Sequence, residues 1–271
     1  MRDFIESFFE AENIDCYSSL AVDTLQNSEI ICPRRLPDFA KTCIVILVPY
    51  FVNDASPRNL SLYAVSRDYH QYVKELESRF VLSAAQKGID IRAKFFADTS
   101  PFDERALAIR SNLGFAGQNG LLINPVYGSY VFIGELVVDA EISLSSGTTQ
   151  ITNCLSCGKC RKSCPTGCLS GDSVECMSHI TQKKQISENE KEQIMNHQLV
   201  WGCDICQQVC PHNVKASETR ITFFRENRIP HLSTEALEKM SDGEFSLRAY
   251  SWRGRNVIAR NISLHEKTFT K

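Results

Sequence analysis

The sequence predicts an α+β protein, with an N-terminal mixed α/β domain followed by a compact cysteine-rich module. Three observations carry this reading. Helical and strand patterns alternate through residues 1 to about 150, nine of the 12 Cys fall between Cys154 and Cys210, and a small-polar stretch, Ser143–Thr152, separates the two regions. With 271 residues, 43% of them hydrophobic, the chain can bury a sizeable core and hold more than one modest domain. The expected division is 1–150, 151–213 and a closing tail, 214–271.

Taken in order, residues 1–12 have the apolar spacing of a short amphipathic helix. Lys41–Pro49 (KTCIVILVP) is a continuous apolar run rich in β-branched residues and closed by Pro, the pattern of a buried strand. From Leu62 to Ala84, apolar residues recur at 62, 65, 69, 73, 76, 80 and 84, which predicts a helix, with Gly88 as its stop. Ile91–Ala97 reads as a strand, and Asp103–Leu113 as a helix ended by Gly114. Leu121–Ile123 and Tyr130–Val138 read as two more strands, joined by a turn that Asn124-Pro125 and Gly128 mark.

The net charge of −2 gives no global electrostatic reason to bind nucleic acid or a membrane. The charge is nevertheless uneven. Residues 214–271 carry 11 Lys/Arg against 7 Asp/Glu, leaving the remainder acidic. The N-terminal stretch MRDFIESFFEAENIDC has neither a basic n-region nor a long apolar core, and no apolar run approaches the roughly 20 residues of a membrane span. A cytoplasmic location is therefore expected. In that reducing compartment, dense cysteine points to metal ligation or catalysis rather than disulfides.

The cysteines have a recognisable spacing. Cys154-x2-Cys157-x2-Cys160-x3-Cys164-Pro165 matches the two-cluster ferredoxin run, and Cys203-x2-Cys206-x3-Cys210-Pro211 is a partial second copy, with Cys176 upstream to complete it. Three thiolates spaced by two residues wrap one face of a cubane, while the fourth leaves the loop toward the other cluster. This assigns Cys154, Cys157, Cys160 and Cys210 to one [4Fe–4S] cluster, and Cys164, Cys176, Cys203 and Cys206 to a second. Zinc is the competing reading, but it usually takes paired CxxC knuckles. Cys168 and the scattered Cys16, Cys32 and Cys43 read as structural thiols.

The 150 residues before this module exceed what a plain electron carrier needs. Asp98 sits just beyond the strand IRAKFFA, where burial would make it a general acid. An N-cap or Asx-turn role, suggested by Thr99, Ser100 and Pro101, stays open. Glu104 and Arg105 read as a solvated helix face. There is no GxGxxG, Walker A or GxSxG motif, and Asp68-Tyr69-His70 begins a DxHxxG corrinoid motif that Val73 breaks.

Several blocks together resemble the epoxyqueuosine reductase family, iron–sulfur enzymes of tRNA queuosine synthesis. They are SRDYH (66–70), DTSPFDERALA (98–108), LGFAGQNGLLINPVYGSYVFIGEL (113–136), the first cysteine run with PTG (165–167), ECMSHIT (175–181), WGCDICQQVCPHN (201–213) and WRGRNVIARN (252–261). The resemblance implies a reductase that removes the epoxide oxygen of epoxyqueuosine in a tRNA anticodon. It would use base-off cobalamin beside the first cluster and electrons relayed by the two clusters from a ferredoxin or flavodoxin. It further implies that Asp98 is the acid, that Arg105 stabilises the oxyanion, and that Gln118, Asn119, Leu122 and Ile133 contact the cobalamin. A monomer without membrane association is expected. Two features depart from the family pattern: Gln118 stands where a Lys is usual, and the chain ends at Lys271 without the helical-repeat extension. The basic tail would then either grip tRNA phosphates or be an ordinary mixed-charge surface. A corrinoid iron–sulfur reductase of another substrate and a ferredoxin-type electron-transfer protein are the alternatives.

Overall fold

A computed structural model describes residues 1–146, 152–171 and 175–269. Its centre is a four-stranded antiparallel sheet of β1 (Tyr17–Ala21), β2 (Thr42–Pro49), β3 (Ala93–Phe96) and β6 (Val131–Val138), in the order β1-β2-β6-β3. The short β4 (Phe115–Ala116) and β5 (Leu122–Ile123) form a separate hairpin. All eight residues of β2 are buried because the sheet is covered on both faces, which is why this antiparallel strand reads as an unbroken apolar run. Helices α1 (Arg2–Ala11) and α2 (Tyr69–Gln86) pack Phe4, Phe8, Leu76 and Phe80 against Ile44, Ile46 and Leu136 on one face. On the other face, α3 (Glu104–Arg110) and the hairpin pack Leu107, Ala108 and Leu122 against Val45, Leu47 and Val137.

Two local expectations are corrected, and one strand is added. The helix predicted from Leu62 starts at Tyr69. Residues Leu62–Ala64 form a 3-10 turn, because Leu60 pairs with Trp201 and Ser61 N donates to Trp201 O. Asp68 then caps α2, its carboxylate accepting from His70 N at 3.0 Å. At the other end, Gly88 (φ +65°) closes α2, with Ile89 N bonded to Ala84 O. Helix α3 is stopped by left-handed Asn112, not Gly114, and Leu113 N reaches Ala108 O. Gly114 is needed for another reason: a Cβ there would meet Ile123 O at 2.6 Å. Strand β1, which no periodicity announced, is a half-buried edge strand.

Of the stretch read as a linker, residues 147–151 lie outside the described residues. Leu144–Ser146 is not free chain: Leu144 O accepts from Ser19 N and Ser146 N donates to Tyr17 O, extending the edge beside β1.

The cysteine module comprises α4 (Lys159–Ser163), α5 (Met177–Gln182), α6 (Glu188–Asn196) and α7 (Ile205–Gln208). A buried polar seam holds it to the sheet. Gln207 Nε2 donates to Ser129 O (2.9 Å) and to Tyr50 Oη (3.2 Å), and Asn213 Nδ2 donates to Ser129 Oγ (2.8 Å). A Cβ on Gly128 (φ +60°) would fall 2.1 Å from Asn213 Oδ1, so glycine lets the seam close.

The tail is α8 (Thr222–Arg225), α9 (Thr234–Lys239), α10 (Asp242–Ser246) and α11 (Arg255–Phe269). It contributes most of a further core in which Leu232, Tyr250 and Ile258 surround Leu60, Val65 and Trp201. Several of its basic groups are used internally. Arg255 donates to Leu237 O and Met240 O, and Arg260 donates to Lys184 O. Among the described residues, no helix is long and apolar enough to cross a membrane.

Candidate active site and cluster cavities

The cysteines predicted as two ligand sets line two cavities. Cys154, Cys157, Cys160 and Cys210 surround a small one, together with Gln118, Asn119 and His212. Cys164, Cys176, Cys203 and Cys206 line a larger one of about 300 Å³, shared with Tyr50, Tyr63, Asn119 and Phe132. The thiols spread around the walls, and among the described residues no three His, Cys, Asp or Glu side chains converge on a single-ion site. Left-handed Gly158 and Gly167 turn the chain between successive ligand positions. Cys16 and Cys43 are buried in the core and Cys32 is half-buried. Cys168 differs from its expected structural place. It is half-buried in the wall of the larger cavity, 3.5 Å from Cys164 Sγ, because left-handed Gly167 folds its loop back.

Asp204, between two cysteines of the second set, is buried at 1% exposure yet fully engaged. It accepts from Arg58 Nη1 at 2.6 Å, from Leu62 N at 2.9 Å and from Ser61 Oγ. This fixes the Cys203–Cys206 loop to the segment leading into α2.

Asp98 follows edge strand β3 in a left-handed backbone conformation (φ +55°), unusual for a residue with a side chain. The next helix is capped by Asp103, whose Oδ1 accepts from Ala106 N, so Asp98 does not serve as the N-cap. Its carboxylate turns toward the start of α2. The Tyr69 hydroxyl donates to Asp98 Oδ2, and His70 Nε2 lies 3.7 Å from the same oxygen. His70 Nδ1 is in turn held by Asp68 Oδ1 at 2.9 Å. Desolvation, then the Asp68 charge, pushes the Asp98 pKa upward, although its side chain is half-exposed and reachable by a substrate. The Tyr69 ring stacks on Phe132 with centroids 4.0 Å apart, and Phe132 lines the larger cavity, so two stacked rings link Asp98 to it.

Glu104 is drawn into this site. Its Oε2 accepts from Asp98 N at 3.2 Å, and desolvation followed by the Asp98 charge lifts its pKa to about 7. Arg105 is exposed and donates from Nη1 to Gly120 O at 2.6 Å, tying α3 to the loop that carries Gln118 and Asn119.

Of the four predicted cofactor contacts, Asn119 borders both cavities and Gln118 the smaller. Leu122 and Ile133 are buried in the sheet core and line neither. Asn119 Oδ1 accepts from Leu121 N, while its buried Nδ2 has no partner. His212 Nε2, at the smaller cavity, is a second buried atom without one. Orphaned donors and acceptors on a shared wall suit a polar group held between the two cavities. Tyr69, His70, Glu104 and Asp204 escaped role assignment from sequence, although Tyr69 and His70 lie in the SRDYH block.

Over 284 residues the chain is 33% identical to the epoxyqueuosine reductase of Listeria monocytogenes, an alignment covering 94% of this chain and 71% of that enzyme. The chain belongs to the epoxyqueuosine reductase family. It is an oxidoreductase of that family, and residues 31–99 match the family model described as "Epoxyqueuosine reductase QueG, DUF1730". Residues 153–213 match the model described as "4Fe-4S double cluster binding domain", so the cysteine module is an iron–sulfur module. The epoxyqueuosine reductase of Cyclobacterium marinum is 30% identical over 250 residues, covering 85% of this chain and 77% of that one. A crystal structure of an epoxyqueuosine reductase with an epoxyqueuosine-modified tRNA-Tyr stem loop superposes with a TM-score of 0.77 at 27% identity. It covers 98% of this chain and 80% of the other. These relatives all extend beyond the matched length.

Proposed function

We propose that this reductase removes the epoxide oxygen of epoxyqueuosine in a tRNA anticodon, giving queuosine, with base-off cobalamin and two [4Fe–4S] clusters. The observation that carries the reading is the placement of Asp98, bonded to Tyr69 beside His70 and linked through the stacked Tyr69 and Phe132 rings to a cavity walled by four cluster-type cysteines. The reaction consumes two electrons and two protons and releases water. A low-potential donor such as a ferredoxin or flavodoxin supplies the electrons, and the protein works as a cytoplasmic monomer.

Cys154, Cys157, Cys160 and Cys210 would hold one cluster, and Cys164, Cys176, Cys203 and Cys206 the other. Asn119 and Gln118 would border the corrinoid, with Leu122 and Ile133 supporting the wall from the core. When bound, the corrinoid supplies a low-valent metal able to reduce a strained carbon–oxygen bond. The chain's own part is proton delivery. Tyr69 engages Asp98 Oδ2, leaving Oδ1 to carry the acid proton to the departing oxygen. Arg105 fixes the Gln118–Asn119 loop through Gly120 O, and its other N–H groups would stabilise the developing oxyanion.

The test is anaerobic incubation of the reconstituted protein with epoxyqueuosine-containing tRNA, cobalamin and a strong reductant, followed by nucleoside mass analysis. Queuosine is expected. Electron transfer to an acceptor protein, with epoxyqueuosine left intact, would replace this reading with that of a carrier.

A further inference from the structure

The smaller cysteine cavity lies beside an apolar and basic surface. Leu155, between two of its cysteines, lines it and is 63% exposed. Val214 is 78% exposed, and its N donates to the carbonyl of Pro211, which stands in the cavity wall. Cys157 is the exposed thiol of the set Cys154, Cys157, Cys160 and Cys210. Lysines flank this apolar ground. Lys159 lines the cavity at the start of α4, and Lys162 follows three residues later on the same helix face. Lys215 comes directly after Val214, and all three lysines are exposed. Helix α4 packs against α7, which leads into Cys210 and Pro211, so the two stretches adjoin. Among the described residues none of the three lysines has an ion-pair partner. Residues 152–171 and 205–217 hold Lys159, Arg161, Lys162 and Lys215 and no Asp or Glu, in a chain with 32 acidic residues. The acids that border these stretches are already engaged: Asp204 is buried against Arg58, and Glu218 pairs with Arg225.

We propose that this surface is the docking site of the electron donor, and that the donor is a small acidic redox protein. The proposal rests on the reading that an external low-potential donor feeds the clusters. An exposed apolar centre flanked by unpaired cations suits a brief encounter with an acidic protein. The charges steer the partner in, the apolar contact excludes water over the exposed thiol, and a small buried area lets the partner leave. The larger cavity has another task, since Phe132 and Tyr69 link it to Asp98, where the proposed substrate enters. A phosphate backbone would use the lysines but not Leu155 and Val214, which favours a protein over tRNA at this surface. Each encounter passes one electron, oxidising the donor by one and reducing the iron–sulfur module by one, so two encounters serve each epoxide.

The test uses the iron-loaded protein and a flavodoxin of net negative charge, with binding followed anaerobically by titration calorimetry. The double charge reversal Lys162→Glu, Lys215→Glu should weaken flavodoxin binding at least about tenfold at about 0.02 M salt, and less than about threefold at about 0.5 M, where the charges are screened. Val214→Asp should weaken it as well, at unchanged iron content. Reduction of the clusters by dithionite, a small reductant that needs no docking, should stay within about twofold of wild type in both variants. Equal flavodoxin binding by wild type and the double variant, or binding that salt does not affect, would overturn the proposal. So would a double variant that binds a tRNA stem loop less tightly but flavodoxin as before, which would make the surface a nucleic-acid contact. Carbodiimide cross-linking of wild type to flavodoxin, mapped by mass spectrometry, decides the matter even if the variants fail to load iron. The links should fall on Lys159, Lys162 or Lys215, and links confined to other lysines would refute the site. A flavodoxin complex at these lysines without any queuosine formed would refute the proposed reaction and leave the docking surface standing, so the two failures are distinguishable.

Discussion

The Arg58–Asp204 pair should be one of the most sensitive points in the molecule, and Arg58→Met tests it. The Met side chain replaces much of the Arg stem but removes the cation. Asp204 is 1% exposed and Arg58 only 17%, so water cannot take over the lost interaction. Breaking a buried pair by removing one partner typically costs about 3–5 kcal/mol. The bonds from Leu62 N and Ser61 Oγ remain and cushion the charge, which places the expectation near the lower end, about 3 kcal/mol. With a urea m-value of about 3 kcal/mol/M, the midpoint should fall by about 1 M. The assay is anaerobic urea unfolding of the iron-loaded protein, followed by far-ultraviolet circular dichroism, on Arg58→Met, Asp204→Asn and the double variant. Because the two residues share one contact, the double variant should lose clearly less than the sum of the singles, with a coupling of about 2 kcal/mol. A single-variant loss under about 1 kcal/mol, or strict additivity, would refute the view that this pair clamps the Cys203–Cys206 loop to the N-terminal half.

Three further outcomes are expected. Cys210→Ala should retain about half the iron, since Cys210 lines the cavity of Cys154, Cys157 and Cys160 rather than the larger one; full retention by iron analysis would disprove that grouping. Asp98→Asn should keep its fold and iron but lose at least about 100-fold in single-turnover epoxide reduction, the usual scale of a general acid, and near wild-type rates would remove Asp98 from that role. Glu104 has its pKa raised from 4.5 to about 7, so the folded protein binds more protons than the unfolded chain in that window, and stability falls as pH rises through it. Glu104→Gln should flatten that fall by about 1 kcal/mol after allowance for solvent screening, as read from urea midpoints across pH.

What the sequence made legible was local. The cysteine spacings group the thiols because Cys154, Cys157 and Cys160 lie within one short loop and Cys203 and Cys206 within another, and the two cavities are lined by the same two sets. Strand β2 was legible from its apolar run. The position of Asp98 at the end of a strand was legible too, but its environment was not. Tyr69 and His70 reach it across 29 and 28 residues of chain through packing of α2 on the sheet. Glu104 looked like solvated helix surface because a helix N-terminus with two neighbouring charges gives no hint that a strand carboxyl lies behind it. Glu135 itself, fully buried on β6, was hidden inside VFIGELVV, where one acidic letter in a strand otherwise signals a solvent-facing position. The arginines of the tail were counted as surface charge, yet Arg255 and Arg260 spend their donors on helix-end and loop carbonyls.

Helix α11 carries a consequence for how changes to the tail are interpreted. Its fully buried Asn261 donates to Thr181 O at 2.7 Å and to Val200 O at 2.8 Å. One of those carbonyls belongs to the helix that begins beside Cys176, and the other lies three residues before Cys203. A single amide thus ties together two segments of the chain that bring thiols to the same cavity. Shortening or loosening this helix would be felt first as slackness in the cluster's cradle. A tail variant that loses tRNA turnover therefore has to be checked for iron before the loss is charged to the nucleic acid.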